Sequence, residues 1–441
     1  MQTSVARPVE DCLIEVLQHL GLARVHVAAA GSPALTDWFG IATRYPDRIA
    51  SLTVIAPPII DEYALGGVAS RLLAIAGDRG VNAQGTIGLA QRLRGVSSHA
   101  LYNYEYFPWT DVIADRGEQV GRALMDFIDS HPTPAAALPE IAGEVSDISY
   151  RIRGSGPPLA LLPLALAPSQ WDPLLPQLAE RYCTISLGGP LLGAVGVLEA
   201  RGASNYLMLI RNMLDLARIR PGDVVLEVGG GSGVVLREIA RRTSGANEII
   251  DIDISPYLLR EAAELALREG LAGSINFREG AADAIPIADA SVDVALSFTV
   301  MEEGDADKML SELVRVTRPR GRIAAIVRAL DMPSWANLSL TPAMRVKTDR
   351  PVNVGVAANG CADASLYRRF REVGLTKLTC FPQLANVTPS DRSRFQGIQQ
   401  RIVSSLTAAE VAEWQAAAAQ AEAMGTLFFA SGYHCAVGTK P

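Results

Sequence analysis

The chain has 441 residues, of which 49% are hydrophobic and 20% are charged. This length and composition predict two or three globular domains and exclude a disordered tail or a small fold held by disulfides. A net charge of -7 argues against a general binder of nucleic acid or of an anionic membrane.

No segment of the sequence has the pattern of a membrane anchor. The longest apolar stretch, residues 157–168, is too short to cross a bilayer as a helix and is interrupted by Pro163. Residues 1–12 contain Glu10 and Asp11 and lack the apolar core of a signal peptide. We therefore expect a soluble, cytoplasmic protein.

The cysteines and histidines do not have the spacing of metal ligands. There are five of each, and they are scattered, so we expect reduced, mostly buried thiols and no metal site. The positions are Cys12, Cys183, Cys361, Cys380 and Cys435, and His19, His26, His99, His131 and His434.

Short β-branched segments alternate with longer helical patterns almost throughout. This alternation favours parallel sheets flanked by helices, and the number of segments predicts two sheets. The expected breaks are a stretch rich in proline and alanine at residues 132–139 and a cluster of glycine and proline at residues 188–202. A late helix is predicted from Thr407, which forms a capping box with Glu410, to Gly425.

The first third of the chain contains a strand followed by a turn at Ser32. Later segments repeat the alternation of strand and helix, and together they resemble an α/β-hydrolase around its nucleophile turn, over about residues 8–130. The segments that carry this resemblance are 24–34, 45–57, 72–80, 106–109 and 118–128.

This region departs from the hydrolase pattern where the chemistry would be. The nucleophile turn requires glycine on both sides of the serine, but this chain has Ala30 and Ala34 there. Gly80 and Tyr106 stand where the family has its acid and its histidine, and Ser32 without a base is an ordinary alcohol. We expect a degenerate domain that encloses substrate or mediates dimerisation.

Residues 148–187 resemble the opening strands of the same hydrolase fold, although they follow the nucleophile region in the chain. The order is therefore permuted. Two alternatives stay open, since this segment either completes the first sheet or is the remnant of a second unit. In both cases the first domain is expected to span residues 1–190.

A glycine-rich turn follows an apolar strand near the middle of the chain. The sequence Glu227-Val-Gly-Gly-Gly-Ser-Gly233 leads into a predicted helix at 234–242, so that bare backbone and free N–H groups face a ligand. A second strand, residues 248–252, ends at Asp253, whose carboxylate can accept hydrogen bonds from ribose hydroxyls. This pattern fits NAD, FAD or S-adenosylmethionine.

Three further segments follow in order, at residues 279–286, 291–297 and 310–322. With the glycine turn and Asp253, they resemble the class I S-adenosylmethionine-dependent methyltransferases, in particular the ubiquinone/menaquinone-biosynthesis type. The resemblance covers about residues 200–441. It implies an α/β, Rossmann-like methyltransferase domain, preceded by the α/β-hydrolase-like domain.

The resemblance also implies a role for each matching residue. Glu227 is expected to contact the methionine amino group of the cofactor, and Asp253 its ribose. The glycine loop is expected to wrap the methionyl and ribose portion. The remaining positions are expected to lie against the adenine or the methionyl group. The complete set of expected cofactor residues is Glu227, Gly229, Gly231, Gly233, Asp253, Ile254, Ala282, Asp283 and Phe298.

Methyl transfer depends mainly on holding donor and acceptor in line and excluding water. A base helps when the acceptor is a hydroxyl or a thiol. We name Glu302 and Glu303 as the catalytic candidates, followed by Tyr367 and His434. Residues 331–370 are expected to cover the acceptor site.

The sequence therefore predicts an S-adenosylmethionine-dependent methyltransferase that acts on a small molecule in the biosynthesis of a metabolite. Two rival functions remain. The first is an enzyme that uses the same cofactor for cyclisation or decarboxylation, and the second is a noncatalytic binding or assembly protein. We expect neither a nucleic-acid partner nor a membrane partner, and a homodimer is compatible with this interpretation.

Overall fold

A computed structural model describes most of the chain. The described residues are 7–30, 37–56, 65–106, 111–164, 166–350, 356–389, 392–403 and 405–441. Ser32 and residues 107–109, which the hydrolase interpretation uses, lie outside them. The chain divides into two compact units, residues 1–197 and 198–441, where the sequence predicts domains at 1–190 and 200–441. Each unit is described by itself.

The N-terminal unit is built on one eight-stranded sheet. Its order is β4-β3-β2-β1-β7-β8-β6-β5. The strands from β4 to β8 pair in parallel, and β6 and β5 extend the sheet in antiparallel fashion. The bounds are β1 (Val25–Ala30), β2 (Ile49–Ile55), β3 (Leu72–Arg79), β4 (Ser97–Glu105), β5 (Ala142–Val145), β6 (Ile148–Arg153), β7 (Pro158–Leu161) and β8 (Cys183–Gly188).

Residues 148–187 contribute three strands to this first sheet. The inserted strand β7 lies between β1 and β8, and both pairings are parallel. Of the two alternatives for this segment, completion of the first sheet is therefore the one observed. The helices of this region are α1 (Val9–His19), α2 (Asp37–Arg44), α3 (Gly80–Arg92), α4 (Val112–Asp129), α5 (Leu175–Ala179) and α6 (Gly193–Ala203). The division between the units falls within α6.

The C-terminal unit has a second, mainly parallel sheet. Its order is β11-β10-β9-β12-β13-β16-β14, and β15 also pairs with β16. The first five strands of this order are parallel, whereas β16 runs antiparallel to β13. The bounds are β9 (Val224–Val228), β10 (Glu248–Asp253), β11 (Ile275–Glu279), β12 (Val292–Phe298), β13 (Thr317–Arg328), β14 (Trp335–Ala336), β15 (Thr376–Val387) and β16 (Phe429–Thr439).

Helices cover both faces of this sheet, which explains why its central strands are apolar on both sides. Leu226 and Ile250 pack in one buried cluster, and Val225 and Ile249 pack in the other. The bounds are α7 (Tyr206–Ala217), α8 (Val234–Arg242), α9 (Pro256–Arg268), α10 (Ala306–Val316), α11 (Pro342–Thr348), α12 (Ser365–Glu372), α13 (Arg392–Val403) and α14 (Ala408–Ala423).

The local signals around the glycine turn and the late helix are confirmed. The helix expected at 234–242 is α8, and the strand expected to end at Asp253 is β10. Helix α14 begins after Thr407, which forms the predicted reciprocal capping box with Glu410. In the part of the chain that the structure describes, no helix is long and apolar enough to span a membrane.

The capping box gives a direct prediction for α14. Replacing Thr407 by alanine removes the side-chain acceptor for the Glu410 N–H, and should destabilise the helix by about 1 kcal/mol. Hydrogen exchange of the α14 amides measures this loss. The Thr407→Ser control keeps the acceptor and should retain protection, whereas equal protection in Thr407→Ala would contradict the assignment.

Candidate functional site

The glycine turn lies where β9 ends and α8 begins. Gly229, Gly231 and Gly233 all have positive φ angles, between 59° and 79°, which favour glycine. Gly230 is required for a different reason, because a Cβ atom there would lie 2.8 Å from Cγ of Asp251. The turn therefore needs residues without side chains both for its backbone path and for the carboxylate beneath it.

Three carboxylates lie under this turn on adjacent strands. Glu227 and Asp251 are cross-strand partners in the β9–β10 register, and Asp253 follows on the same face of β10. Their exposed fractions are only 2%, 0% and 6%. Burial, followed by the mutual repulsion of the three groups, raises the pKa of Glu227 well above its usual value. Burial and the neighbouring Asp253 do the same to the pKa of Asp251.

Backbone N–H groups hold two of these carboxylates in place. Gly230 N–H donates to Oδ1 of Asp251 at 3.2 Å, and Gly231 N–H donates to Oδ2 of Asp253 at 3.0 Å. Ser255 N–H donates to Oδ1 of Asp253 at 2.8 Å. Burial raises the pKa of Asp253, and these hydrogen bonds oppose the increase. The acids thus fix the turn to the edge of the sheet.

The turn and its acids fit the cofactor that the sequence predicts. Among the described residues, Oε2 of Glu227 is buried and has no hydrogen-bond partner, so it can accept from an ammonium group. Ile254 follows Asp253 and is 74% exposed, which leaves an apolar surface for an aromatic base. Four of the five residues of the turn are glycines and the Ser232 side chain is buried, so a ligand can approach the backbone closely.

The other predicted cofactor residues lie at the same edge of the sheet or near it. Ala282 and Asp283 occupy the turn closed by a bridge between Ala281 and Ala284. Ala282 is half-buried and Asp283 is exposed. Phe298 ends β12 and is buried in the apolar cluster that contains Val225. The cofactor roles of Ala282, Asp283 and Phe298 stay predictions.

The end of α6 packs against the glycine turn within the C-terminal unit. A Cβ atom at Gly231 would lie 2.9 Å from a methyl group of Leu198. Beneath the turn, the buried guanidinium of Arg237 donates to Glu199 at 2.5 Å and to Glu269 at 2.8 Å. It also donates to the Ser232 carbonyl. This network joins α6, α8 and α9 around the turn.

A strained residue marks the end of β12. Thr299 has a φ of 60°, which a β-branched side chain rarely adopts. Its N–H donates to the Ile326 carbonyl at 2.7 Å, and its hydroxyl accepts from Arg201 at 3.2 Å. These bonds stabilise the sharp change of direction that leads to the two predicted catalytic glutamates.

Glu302 and Glu303 have different surroundings. Glu302 is fully buried, and its Oε1 accepts from Arg328 N–H at 2.7 Å. Glu303 is exposed, and desolvation followed by repulsion from the neighbouring Glu302 raises the pKa of its carboxyl to about 7. Neither residue begins a helix, since Asp305 is the N-cap of α10.

Tyr367 and His434, the weaker base candidates, are joined in one hydrogen-bonded chain with Asp331. Oδ1 of Asp331 lies 2.7 Å from Nε2 of His434, and the Tyr367 hydroxyl lies 2.7 Å from Nδ1. An ionised carboxylate only accepts, so Nε2 carries the proton and Tyr367 donates to Nδ1. Partial burial opposes ionisation of Asp331, but hydrogen bonds from His434 and Ala364 N–H lower its pKa.

Sequence reasoning missed several of these functional positions. The alternation Asp251-Ile-Asp253 in an otherwise apolar strand was a usable signal for Asp251, because alternate residues share one face. Asp331, Arg201 and Arg237 had no comparable local signal. Their partners lie 103, 98 and 38 residues away in the chain.

Comparison with known proteins supports a methyltransferase domain. Residues 225–321 match the family described as a methyltransferase domain. The chain is 30% identical over 117 residues to the ubiquinone/menaquinone biosynthesis C-methyltransferase of Hydrogenovibrio crunogenus, which covers 26% of this chain and 46% of the relative. The Pasteurella multocida protein of the same name is 32% identical over 117 residues, which are 26% and 44% of the two chains.

The chain thus spans less than half the length of these two curated relatives. Among solved structures, a SAM dependent methyltransferase from Aquifex aeolicus is 16% identical, with a TM-score of 0.31. That similarity covers 51% of this chain and 88% of the Aquifex chain.

The contact between Gly230 and Asp251 can be tested by adding one methyl group. Gly230→Ala places a carbon against the Asp251 carboxylate and should destabilise the sheet edge by about 1–3 kcal/mol. Hydrogen exchange of the β10 amides measures this change. Gly273→Ala is the matched control, because a Cβ atom there meets no atom within 4 Å. Equal exchange in both variants would contradict the described packing.

Proposed function

Because residues 225–321 form a class I S-adenosylmethionine-dependent methyltransferase domain, we propose that the chain transfers a methyl group from S-adenosylmethionine to a small molecule. The observation that carries this proposal is the glycine-rich turn at Gly229–Gly233 above the buried Glu227 and Asp253. A biosynthetic role agrees with the names of the curated relatives.

Bound S-adenosylmethionine supplies an electrophilic methyl group on a positively charged sulfur. In our proposal, Glu227 accepts from its ammonium group and Asp253 accepts from its ribose hydroxyls. A carboxylate has about four acceptor sites, so Asp253 can bind a ribose while it keeps its bonds from Gly231 and Ser255. Ile254 then covers one face of the adenine.

We propose Glu303 as the base that removes a proton from the acceptor. A pKa of about 7 suits this role, because the ionised form is available at neutral pH and can still take up a proton. Glu302 serves as a positioning residue in this proposal, since it is buried and bound to Arg328 N–H. The chain Asp331–His434–Tyr367 is the second candidate for the base.

We propose that the acceptor binds against the segment 331–370, which follows the matched family region that ends at residue 321. Part of that segment lines a cavity of about 330 Å³. This volume suits a small organic molecule. Half of its lining residues are charged, and the lining consists of Leu330, Asp331, Met332, Pro333, Arg345, Val346, Asp349 and Arg350.

For the N-terminal unit we propose a noncatalytic role. The parallel strands extended by an antiparallel pair are compatible with the hydrolase-like interpretation. Gly80 begins α3, and Tyr106 is a buried tyrosine whose pKa is raised by burial to about 12. Neither residue can replace the acid or the histidine of a catalytic triad.

Methyl transfer can be tested with the full chain and S-adenosylmethionine that carries a deuterated methyl group. Incubation with a bacterial metabolite extract should yield a small molecule that has gained this group, detected by mass spectrometry. Binding of the cofactor without any labelled product would favour cyclisation, decarboxylation or a noncatalytic role. Absence of cofactor binding in titration calorimetry would refute the proposed site.

Asp253→Ala should weaken the binding of S-adenosylmethionine by about 1–3 kcal/mol, because charge-assisted hydrogen bonds are lost. Titration calorimetry measures this change. Asp289→Ala is the control, since Asp289 is a largely exposed partner of Arg315. Unchanged affinity in Asp253→Ala would contradict the ribose assignment.

With a labelled acceptor in hand, turnover should increase with pH through about 7, as Glu303 loses its proton. Glu303→Gln should abolish this dependence and lower kcat by about 10²- to 10⁴-fold. The control Glu248→Gln, at the exposed start of β10, should change neither the pH dependence of turnover nor kcat. An unchanged pH profile in Glu303→Gln would show that another group is the base.

A further inference from the structure

We propose that Asp251, to which the sequence motifs give no role, is a positioning residue of the cofactor site and shares a proton with Glu227 that is released when S-adenosylmethionine binds. This inference rests on the proposed function. It adds a residue to the site and a measurable coupling between cofactor binding and proton release.

The first observation is the arrangement of the two carboxylates. Glu227 and Asp251 face each other in the parallel register of β9 and β10. Both are almost completely buried, and Oε2 of Glu227 and Oδ2 of Asp251 are buried oxygens without a hydrogen-bond partner among the described residues. Two ionised carboxylates in this position would repel each other at low dielectric, so one proton stabilises the pair.

The second observation is that Asp251 lies directly beneath the turn. Gly230 has no side chain, and the space that a Cβ atom would take is occupied by the Asp251 carboxylate. Gly230 N–H donates to one of its oxygens. A change in the charge of Asp251 therefore acts on the backbone that would hold the cofactor.

The charged groups around Glu227 and Asp251 do little to stabilise the ionised form of the pair. Asp253 adds a third negative charge on the same face of β10, and Glu303 lies close enough to Asp253 to interact with it. Arg237 on α8, the buried cation below the turn, is already bound by Glu199 and Glu269. A ligand that brings positive charge to this edge would stabilise the ionised form of the pair.

S-adenosylmethionine carries both an ammonium and a sulfonium group. Its binding should therefore lower the affinity of the Glu227–Asp251 pair for its proton, and the proton passes to the buffer. The atoms and charges balance, because the protonated pair becomes two carboxylates and the bound cation compensates the new negative charge. By linkage, the affinity for S-adenosylmethionine should increase with pH.

The same linkage predicts how the free protein responds to pH. Burial and repulsion raise the pKa of Glu227 and Asp251 in the folded state. Their contribution to the free energy of unfolding is therefore greatest below about pH 4, the pKa of a carboxyl group in the unfolded chain. It is lost as the pH rises through the folded-state pKa. Asp251→Asn should make the free protein less sensitive to pH in this range.

The experiment is titration calorimetry of the full chain with S-adenosylmethionine at pH 7, in phosphate and in Tris. Tris takes up a proton with a much larger release of heat. The wild type should therefore bind more exothermically in Tris, by an amount that corresponds to release of up to about one proton. In Asp251→Asn, which keeps an acceptor for Gly230 N–H, the released fraction should fall by at least half.

Asp293→Asn is the matched control. Asp293 lies at the start of β12, where it accepts from Val224 N–H and Arg318, and its variant should release the same fraction of a proton as the wild type. Equal heats in both buffers for the wild type would overturn the inference, as would undiminished release in Asp251→Asn. An equal loss of proton release in Asp251→Asn and Asp293→Asn would also overturn the inference.

Two further outcomes separate this inference from the proposed function. If S-adenosylmethionine does not bind to the wild type, the proposed cofactor site fails and this inference fails with it. If it binds without release of a proton, only the inference fails. Should Asp251→Asn not fold, Glu227→Gln replaces it, and the measurement on the wild type is independent of either variant.

Discussion

The site depends on burying three carboxylates beneath a glycine-rich turn. An isolated buried carboxylate is costly, and three on adjacent strand positions are more so. The N–H groups of Gly230, Gly231 and Ser255 offset part of this cost. The remainder is offset by protonation or by a bound cation. Both protonation and a bound cation require the turn to stay close to the ends of β9 and β10.

The parallel sheet explains why these groups meet. In parallel strands the carboxyl ends lie at one edge, so β9, β10, β12 and β13 bring Glu227, Asp253, Thr299 and Arg328 to that edge from distant parts of the sequence. The strained backbone at Thr299 then turns the chain so that Glu302 is buried and Glu303 is accessible. One edge therefore brings together the glycine-rich turn, its buried acids and the accessible carboxyl of Glu303.

Sequence reasoning was most accurate where the signal was local. The strand, turn and helix around Gly229–Gly233 follow from apolar runs and glycine spacing, and the start of α14 follows from Thr407 and Glu410. Tertiary contacts were harder to predict from the sequence. The different burial of Glu302 and Glu303 depends on Arg328 N–H, and the link from Tyr367 through His434 to Asp331 joins three elements that no local pattern connects.

We infer that the turn at Gly229–Gly233, with Glu227 and Asp253, holds one S-adenosyl nucleoside. A crystal structure of the chain with S-adenosylhomocysteine would test this inference. It should show the amino acid portion against the turn near Glu227, the ribose hydroxyls on Asp253, and the adenine against Ile254. Nucleoside density at any other place, with this turn unchanged and empty, would contradict it.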